Sequence, residues 1–315
     1  MVTQFIVSNQ TNPYWNIAVE NYLVEQSRDV ITLYLWRNRR TVVIGQNQNP
    51  FAEVNLEALE ADGGYLMRRR TGGGAVYHDD GNLNFSFVVP KALYDLQRQF
   101  SVIQRAVAAF GLEAEVSGRN DLLCDGRKFS GNAFSKGEYN DLHHGTILIR
   151  GNMSDLARYL KPKLAKLQKH GVSSVRSRVV NLAELNPDIT AESLMPRLRA
   201  AFNSEYSEIS ENTKFSEIIK LPDVRRLYEQ FASDEWLYSR WRNFTAQRSG
   251  QFDWGGVEVA VTVKDNTVAD IQLASDALDL DALETARKLA IGTPLDRKVA
   301  PTGNRVVDDI LSLVF

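Results

Sequence analysis

The sequence predicts an α+β fold, in which a large domain built on a mixed sheet is followed by a small α+β domain. Strand-like segments come in hairpin-like pairs, and helices are scattered among them instead of following every strand, which argues against a doubly wound parallel sheet. The hydrophobic pattern changes after residue 248, and 315 residues suffice for one large and one small core. We therefore expect domains over residues 1–248 and 249–315.

Composition and hydrophobic period predict the elements of the large domain. The segments 4–8 and 31–36 are rich in branched and aromatic residues, as strands are. Between them, the apolar residues of segment 15–26 recur at helical spacing. The same criteria predict strands over residues 41–44, 65–69, 83–89, 114–116, 128–134 and 145–150, and helices over 51–61, 97–110, 191–206 and 223–232.

The small domain is predicted to be a hairpin followed by a helix. Strands over 256–263 and 268–274 flank the turn sequence "KDN", and helical spacing returns over 281–289. The preceding segment, "SDEWLYSRWRNFTAQRSG", is polar and aromatic, which suits a connection between two domains.

Charge and composition narrow the class of protein. A formal net charge of -2 and a pI of about 6.2 disfavour general nucleic-acid binding, which usually requires a basic surface. We expect no signal peptide, because the first residues lack a basic stretch before an apolar core, and no apolar run is long enough to span a bilayer. The only cysteine, Cys124, cannot form an internal disulfide. These features predict a cytoplasmic protein.

The stretch "RRRTGGGAVYHDDGN", residues 68–82, joins three arginines to three glycines. Glycines allow backbone amides to approach an anion closely, and arginine makes planar, charge-assisted bonds to phosphate or carboxylate oxygens. The alternative is a solvated charged segment followed by a turn. The stretch is not a P-loop, because no Gly-Lys-Ser/Thr follows its glycines, and it lacks the spaced glycines of a dinucleotide-binding turn.

A second cluster lies in "SGRNDLLCDGRKFSGNAF", residues 117–134. Lys128 follows a tight "CDGR" turn on a predicted strand, where an ammonium in a cleft would stabilise negative charge developing on a carboxylate or phosphate. Asp121 is a carboxylate near the same turn, of the type that binds Mg²⁺ together with phosphates. The alternative is that both side chains are simply solvated.

A third cluster, "DLHHGTILI", places His143 beside His144. Adjacent strand residues point to opposite faces, so at most one of the two faces a given pocket, and we favour His144. Zinc is rejected, because cysteine is nearly absent and no further ligands stand at metal spacing. Arg176 and Arg178 share one face if their segment is extended, although a solvated surface is the simpler interpretation.

These segments resemble the lipoate-protein ligase A family. "RRRTGGGAVYHDDGN" is similar to the family's Arg-Arg-x-x-Gly-Gly-Gly-x-Val-x-His-Asp signature, and "GRNDLL" followed by "GRKFSGNAF" resembles its lysine motif. Further segments match in the same order: "NPYWNIAVE", "LWRNRRTVVIGQNQNP", "HHGT", "SVRSRVVNL" and "WGGVEV". The resemblance covers nearly the whole chain. It implies a catalytic domain of the biotin/lipoate ligase type and a small α+β accessory domain.

The resemblance also implies an activity. Enzymes of this family use ATP, with Mg²⁺, to convert free lipoate to lipoyl-AMP and pyrophosphate. They then transfer the lipoyl group to a lysine of apo lipoyl domains, those of 2-oxoacid dehydrogenase E2 subunits and of the glycine cleavage H protein. The roles that it implies for single residues are catalysis by Lys128; ATP binding by Arg69, Gly74, Ala75, Val76, Tyr77 and Lys128; lipoate binding by Trp36, Arg69, Gly73, His78, Lys128 and His144; and Mg²⁺ binding by Asp121, with Asn120 beside it. Arg68 is expected to support Arg69, and Arg70 to face water.

Three alternatives stay open at this point. An octanoyl or lipoyl transferase of the same fold would use a cysteine thioester, but Cys124 does not lie where those families place their nucleophile. A biotin ligase shares the fold with a different order in its arginine-glycine loop. A non-catalytic lipoate-binding or regulatory protein is the third possibility, although the presence of Arg69, the glycines at 72–74 and Lys128 together argues against a decayed enzyme.

Overall fold

The computed structural model describes residues 2–118, 120–161, 179–209, 213–238, 246–295, 297 and 299–315. Within these ranges none of the helices is long and apolar enough to cross a membrane. The helices are α1 (Pro13–Gln26), α2 (Pro50–Glu53), α3 (Leu56–Ala61), α4 (Leu96–Ala108), α5 (Met153–Tyr159), α6 (Leu182–Leu185), α7 (Ala191–Tyr206), α8 (Phe215–Ile218), α9 (Pro222–Ala232), α10 (Asp234–Tyr238), α11 (Leu280–Ala290) and α12 (Arg305–Val314).

The described residues form three sheets, with seven strands in the first and three in each of the others. The large sheet has the order β1-β2-β6-β10-β9-β8-β7, the small sheet β4-β3-β5, and the C-terminal sheet β11-β12-β13. Their strands are β1 (Val2–Val7), β2 (Val30–Trp36), β3 (Thr41–Ile44), β4 (Tyr65–Arg68), β5 (Val76–His78), β6 (Asn82–Pro90), β7 (Ala114–Ser117), β8 (Asp121–Cys124), β9 (Arg127–Lys136), β10 (Asn140–Leu148), β11 (Ala246–Phe252), β12 (Gly255–Lys264) and β13 (Thr267–Ser275).

The large sheet separates two cores. In this sheet β1 and β2 are parallel and are joined through α1, whereas the other neighbouring strands of the same sheet are antiparallel. Alternate side chains of β6 and β10 point to opposite faces, so Phe85, Phe87 and His143 lie on one side and Val88 and Leu142 on the other. The first face packs against α4 and α7, and the second against α1 and α9. The functional side chains described below lie on the second face.

Local sequence explains where the main helices begin. Asn12 accepts a hydrogen bond from the amide of Tyr14 and precedes Pro13, the first residue of α1. Asp95 caps α4 by accepting from the amides of Gln97 and Arg98. The predicted helix over 51–61 is wrong in one respect: it is two short helices, because the backbone at Val54 is extended and Asn55 caps a new helix.

The C-terminal domain is an antiparallel meander packed against α11 and α12. The predicted "KDN" hairpin is present, since Asp265 and Asn266 have φ of 48° and 57°, the left-handed pair that a two-residue hairpin turn requires. The predicted α+β class, with a large mixed sheet and a small C-terminal domain, is confirmed. The exact boundary after residue 248 stays a prediction; that position falls within β11.

Candidate functional site

A cavity of about 550 Å³ crosses the second face of the large sheet. Trp36 pairs with Asn84, and Asn84 pairs with Thr146, so the three form a row across β2, β6 and β10. Cross-strand partners share a face, which is why all three line the cavity. The amide of Gly131 on β9 lies 3.3 Å from Thr146 Oγ1 and extends the row toward Lys128. The cavity therefore has a Trp36 end and a Lys128 end.

Lys128 is placed by the turn before it and by a bulge. Asp125 and Gly126 have φ of 51° and 67°, which is the predicted tight turn, and the β8–β9 register then shifts by a bulge. The Lys128 Nζ lies 2.7 Å from Asp121 Oδ1, and both side chains are about one-third exposed. A Cβ added to Gly131 would lie 2.9 Å from that Nζ, so the glycine leaves room for the ammonium.

Two asparagines hold the lysine strand to the segment before it. Asn132 Nδ2 donates to the Asn120 carbonyl at 2.9 Å, and Asn120 Nδ2 donates to the Asn132 carbonyl at 2.6 Å. Asn132 Oδ1 lies 2.9 Å from His143 Nε2, inside the first core. Burial holds the pKa of His143 well below its ordinary value, so the ring is neutral. His143 thus has a structural position, whereas His144 lines the cavity, as strand alternation predicts.

Arg69 organises the glycine loop from within. Its side chain is buried, with Nε 3.0 Å from Thr71 Oγ1 and Nη2 2.7 Å and 2.8 Å from the carbonyls of Gly72 and Gly74. Burial lowers the pKa of Arg69 to about 10, which leaves the guanidinium charged at neutral pH. Arg69, Gly73, Gly74, Ala75 and Val76 all line the cavity, and Tyr77 does not.

The other two arginines differ from Arg69 and from each other. Arg68 is 1% exposed, and its guanidinium donates to the carbonyls of Gln48 at 2.7 Å and Leu237 at 2.6 Å, which makes it a structural support for this region. The expectation that Arg70 faces water holds in part, because its side chain is 33% exposed but also has protein partners. Arg70 forms an ion pair with Glu25 and lies 5.3 Å over the ring of Phe231, because α1 and α9 both reach it.

His144 belongs to a buried chain of hydrogen bonds that sequence reasoning missed. His144 Nδ1 lies 2.8 Å from Glu20 Oε2, and the same oxygen accepts from Ser86 Oγ at 2.5 Å. Ser86 in turn accepts from Trp36 Nε1 at 2.9 Å, and His144 Nε2 lies 2.9 Å from Thr71 Oγ1. Thr71 Oγ1 also accepts from Arg69 Nε at 3.0 Å. This series of hydrogen bonds connects the Trp36 end of the cavity to Arg69 and its glycine loop.

The sequence does not mark Glu20 as a site residue, because α1 is buried on most of its circumference. The buried residues of this helix include Asn16, Glu20 and Asn21 as well as apolar ones, so no polar face marks the solvent side. The position of a polar residue in the helical period therefore carries no information about its exposure here.

His78 lines the cavity beside Trp36, with ring centroids 6.0 Å apart in an edge-on arrangement. Its Nδ1 lies 3.2 Å from Asn38 Nδ2. Burial, followed by the charge of Arg69 and then by His144, lowers the pKa of His78 to about 3, so this ring is also neutral.

The accessory domain forms one wall of the cavity, which no sequence signal had suggested. Its lining residues are Gln251, Phe252, Asp253, Trp254, Gly255, Asp276 and Leu278. Gly73 donates its amide to the Ala277 carbonyl at 3.2 Å, and a Cβ on Gly72 would lie 2.2 Å from that oxygen. The close approach of the two domains therefore requires glycine at position 72.

Asp121 and Cys124 occupy sites that limit their roles. Asp121 does not line the cavity itself but lies beside Lys128. Within the described ranges, no three His, Cys, Asp or Glu side chains come together as a metal site. Cys124 is 2% exposed within the first core, and burial raises the pKa of its thiol to about 11. Arg176 and Arg178 lie outside the described residues.

Comparison with protein families gives two matches, one for each domain. Residues 12–203 match the lipoyl protein ligase A/B catalytic domain, and residues 242–300 match the bacterial lipoate protein ligase C-terminus. The chain is 36% identical to a lipoate-protein ligase A of Psychrobacter cryohalolentis, over 94% of this chain and 90% of that protein. It is 38% identical to a lipoate-protein ligase A of Bdellovibrio bacteriovorus, over 88% and 84%.

Solved structures show the same likeness. LipL1 of P. falciparum in complex with lipoate superposes with a TM-score of 0.84 at 29% identity, over 98% of each chain. A bipartite lipoate protein ligase of Thermoplasma acidophilum, described with its E2 lipoyl domain, gives a TM-score of 0.69 at 25% identity, over 78% of this chain and all of that one. A lipoate-protein ligase A bound with ATP gives 0.64 at 26% identity, over 75% and 98%.

Proposed function

The chain belongs to the lipoate-protein ligase A family, and we propose that its cavity binds ATP and lipoate for ligation through lipoyl-AMP. It is a ligase enzyme of the ATP-dependent, lipoate-attaching kind. One observation supports this assignment most strongly: a single cavity has Lys128 at one end, Trp36 at the other end and the Arg69 loop along its side.

In the first half-reaction, a lipoate carboxylate oxygen attacks the α-phosphorus of ATP. The bond from that phosphorus to the bridging oxygen breaks, and pyrophosphate leaves. Lys128 would bond to the lipoyl carboxyl and the α-phosphate, where its ammonium offsets the charge that develops on the phosphoryl oxygens. The carboxylate of Asp121, 2.7 Å away, holds the ammonium in place before substrates bind.

The nucleotide would lie along the glycine loop. We propose that Arg69 and the amides of Gly74, Ala75, Val76 and Tyr77 hold its phosphate and sugar side, because successive amides in such a loop favour an anion. In the described conformation, the Arg69 guanidinium already donates to carbonyls of this loop, so it also fixes the loop's shape. Tyr77 would contribute through its backbone, since its side chain packs against Tyr159 with centroids 5.3 Å apart.

The lipoyl chain would extend from Lys128 toward Trp36. Gly73, His78 and His144 would flank it, and the apolar lining near Trp36 would take up the dithiolane ring. The hydrogen bonds from Glu20 to His144 and from His144 to Thr71 fix the position of this wall relative to the Arg69 loop.

Asp121 is the residue that we propose for Mg²⁺. Its carboxylate is about one-third exposed beside Lys128, and Mg²⁺ commonly takes one such carboxylate and completes its shell with phosphate oxygens and water. Bound there, the ion would neutralise phosphate charge. Among the described lining residues, Lys128 and Arg69 supply positive charge.

In the second half-reaction, a lysine amine of a lipoyl domain attacks the acyl carbon of lipoyl-AMP, an amide bond forms, and AMP leaves with the bonding electron pair. We propose that the acceptors are apo lipoyl domains, of 2-oxoacid dehydrogenase E2 subunits and the glycine cleavage H protein. The relative of T. acidophilum described with its E2 lipoyl domain supports this partner class. A cytoplasmic location stays a prediction.

The rival mechanism, acyl transfer through a cysteine thioester, has little support from Cys124. A buried thiol with a raised pKa is poorly nucleophilic at neutral pH. A non-catalytic lipoate-binding protein would use Lys128 for the carboxylate but would have no nucleotide for the Arg69 glycine loop to hold.

The experiment that tests the proposed function combines two measurements on the purified chain. Lipoate-dependent exchange of pyrophosphate into ATP reports adenylation, and mass spectrometry of an apo lipoyl domain reports transfer as the added mass of one lipoyl group. Exchange and transfer together support the ligase. Absence of both, with lipoate still bound, would instead favour a binding protein.

A further inference from the structure

The tautomer of His78 is set by a chain of buried amides. Asn16 Nδ2 donates to the Arg37 carbonyl at 2.9 Å, which fixes the orientation of the Asn16 amide. The same nitrogen donates to Asn38 Oδ1 at 3.0 Å, so Asn38 must present its nitrogen on the other side. That nitrogen lies 3.2 Å from His78 Nδ1.

An amide nitrogen has only hydrogens to offer, so His78 Nδ1 accepts and the ring proton sits on Nε2. Asn16 and Asn38 are both completely buried, which keeps water from competing for these bonds. Burial and the nearby Arg69 charge disfavour a second proton on the ring. His78 is therefore a neutral donor through Nε2 at neutral pH.

That donor has no partner within the part of the chain that the structure describes. His78 is 3% exposed, its Nε2 is buried, and the ring lines the cavity. A buried N–H without an acceptor is costly, so a group that accepts from it would be favoured at this point. Moving the proton to Nδ1 would not remove this cost, because Nδ1 would then face the donating Asn38 Nδ2.

The donor lies at the end of the cavity that is opposite Lys128. Trp36, whose ring is 6.0 Å from that of His78, is on β2, and Lys128 is on β9. Two strands, β6 and β10, lie between them. Three strand spacings amount to roughly 14 Å. If Lys128 holds the carboxyl group, the distal end of the acyl chain reaches the Trp36 and His78 side chains.

We propose that His78 Nε2–H is a specificity determinant, which selects an acyl chain with a hydrogen-bond acceptor at its distal end. This inference rests on the proposed function and deepens it. The dithiolane sulfurs of lipoate are weak acceptors, whereas the saturated tail of octanoate has none. Ile17, Val43 and Met67 supply apolar lining here, and such side chains bind both tails without distinguishing them.

The test is direct binding of lipoate and octanoate to the full chain, measured by calorimetry for the wild type and for His78→Leu, His78→Gln and Met195→Leu. The wild type should prefer lipoate, and His78→Leu should reduce the ratio of the two Kd values by roughly 2- to 10-fold, as expected for one net hydrogen bond. His78→Gln places an amide nitrogen near the same position and should restore part of the preference. Met195→Leu changes a methionine that packs against the first core, outside the cavity lining, and should keep the wild-type ratio within about twofold.

A second measurement does not depend on the folding of variants. In ¹⁵N-histidine spectra of the wild type, His78 should carry its proton on Nε2 at pH 7, and lipoate should shift that proton's resonance more than octanoate does. An unchanged Kd ratio in folded His78→Leu, a wild type without preference for lipoate, or a proton on Nδ1 would each overturn the proposal. Failure of the proposed function is separate, because it appears as loss of lipoate-dependent pyrophosphate exchange in the wild type.

Discussion

Gly131→Ala should impair catalysis without harming the fold. A Cβ at this position would lie 2.9 Å from Lys128 Nζ and 3.0 Å from Cε. Ordinary contacts of this type lie at about 3.5–4.0 Å, so the ammonium must move by roughly 0.5–1 Å. A displacement of about 1 Å in a reacting group costs up to about 100-fold in rate. We expect lipoate-dependent pyrophosphate exchange to fall by roughly 10- to 100-fold.

Stability should not explain that loss. Gly131 lies in β9 and does not have a positive φ, so alanine fits its backbone and should raise stability slightly, by up to about 1 kcal/mol. Gly151→Ala is the matched control, because its Cβ would meet Leu148 Cδ2 at an ordinary 3.4 Å and its residue does not line the cavity. Thermal melts of all three proteins accompany the exchange assay. Wild-type exchange by Gly131→Ala would refute the account of how Lys128 is positioned.

Three further predictions concern other parts of the chain. Cys124→Ser should retain ligation with a modest loss of stability, about 1–3 kcal/mol for an added buried hydroxyl, and loss of transfer by the folded variant would revive the thioester mechanism. Gly72→Ala should separate the accessory domain from the glycine loop, since Ala277 O is 2.2 Å from the added Cβ, and hydrogen exchange should then quicken across residues 272–279. The depressed pKa of His78, about 3 against an ordinary 6.5, gives stability that is complete above pH 6.5 and declines toward pH 3, by about 2 kcal/mol at pH 5. Urea titrations should show a shallower decline in His78→Gln, and an identical pH dependence would contradict the assignment.

Much of the site could be predicted, because its parts are local in sequence. The arginine-glycine stretch, the "CDGR" turn before Lys128 and the alternation of His143 and His144 all depend on nearest neighbours and strand geometry. Each of these signals follows from backbone freedom or side-chain direction.

The parts that could not be predicted depend on distant contacts. Glu20 reaches His144 across 124 positions of sequence, and its helix has no polar face to reveal it. Phe252 and Trp254 line the cavity only because the accessory domain packs on the glycine loop. Arg70 stands in a run of charged residues that would ordinarily be solvated. In the fold, however, Glu25 of α1 and Phe231 of α9 both contact it. Pairings of this kind are properties of the tertiary fold.

The role of Lys128 is the central claim, and one comparison tests it most directly. Lipoate-dependent ATP–pyrophosphate exchange is measured for the wild type and for Lys128→Ala, with circular dichroism to show that both are folded. Loss of the ammonium that stabilises the developing charge should slow exchange by roughly 100- to 1,000-fold. Exchange by the folded variant at the wild-type rate would contradict the account.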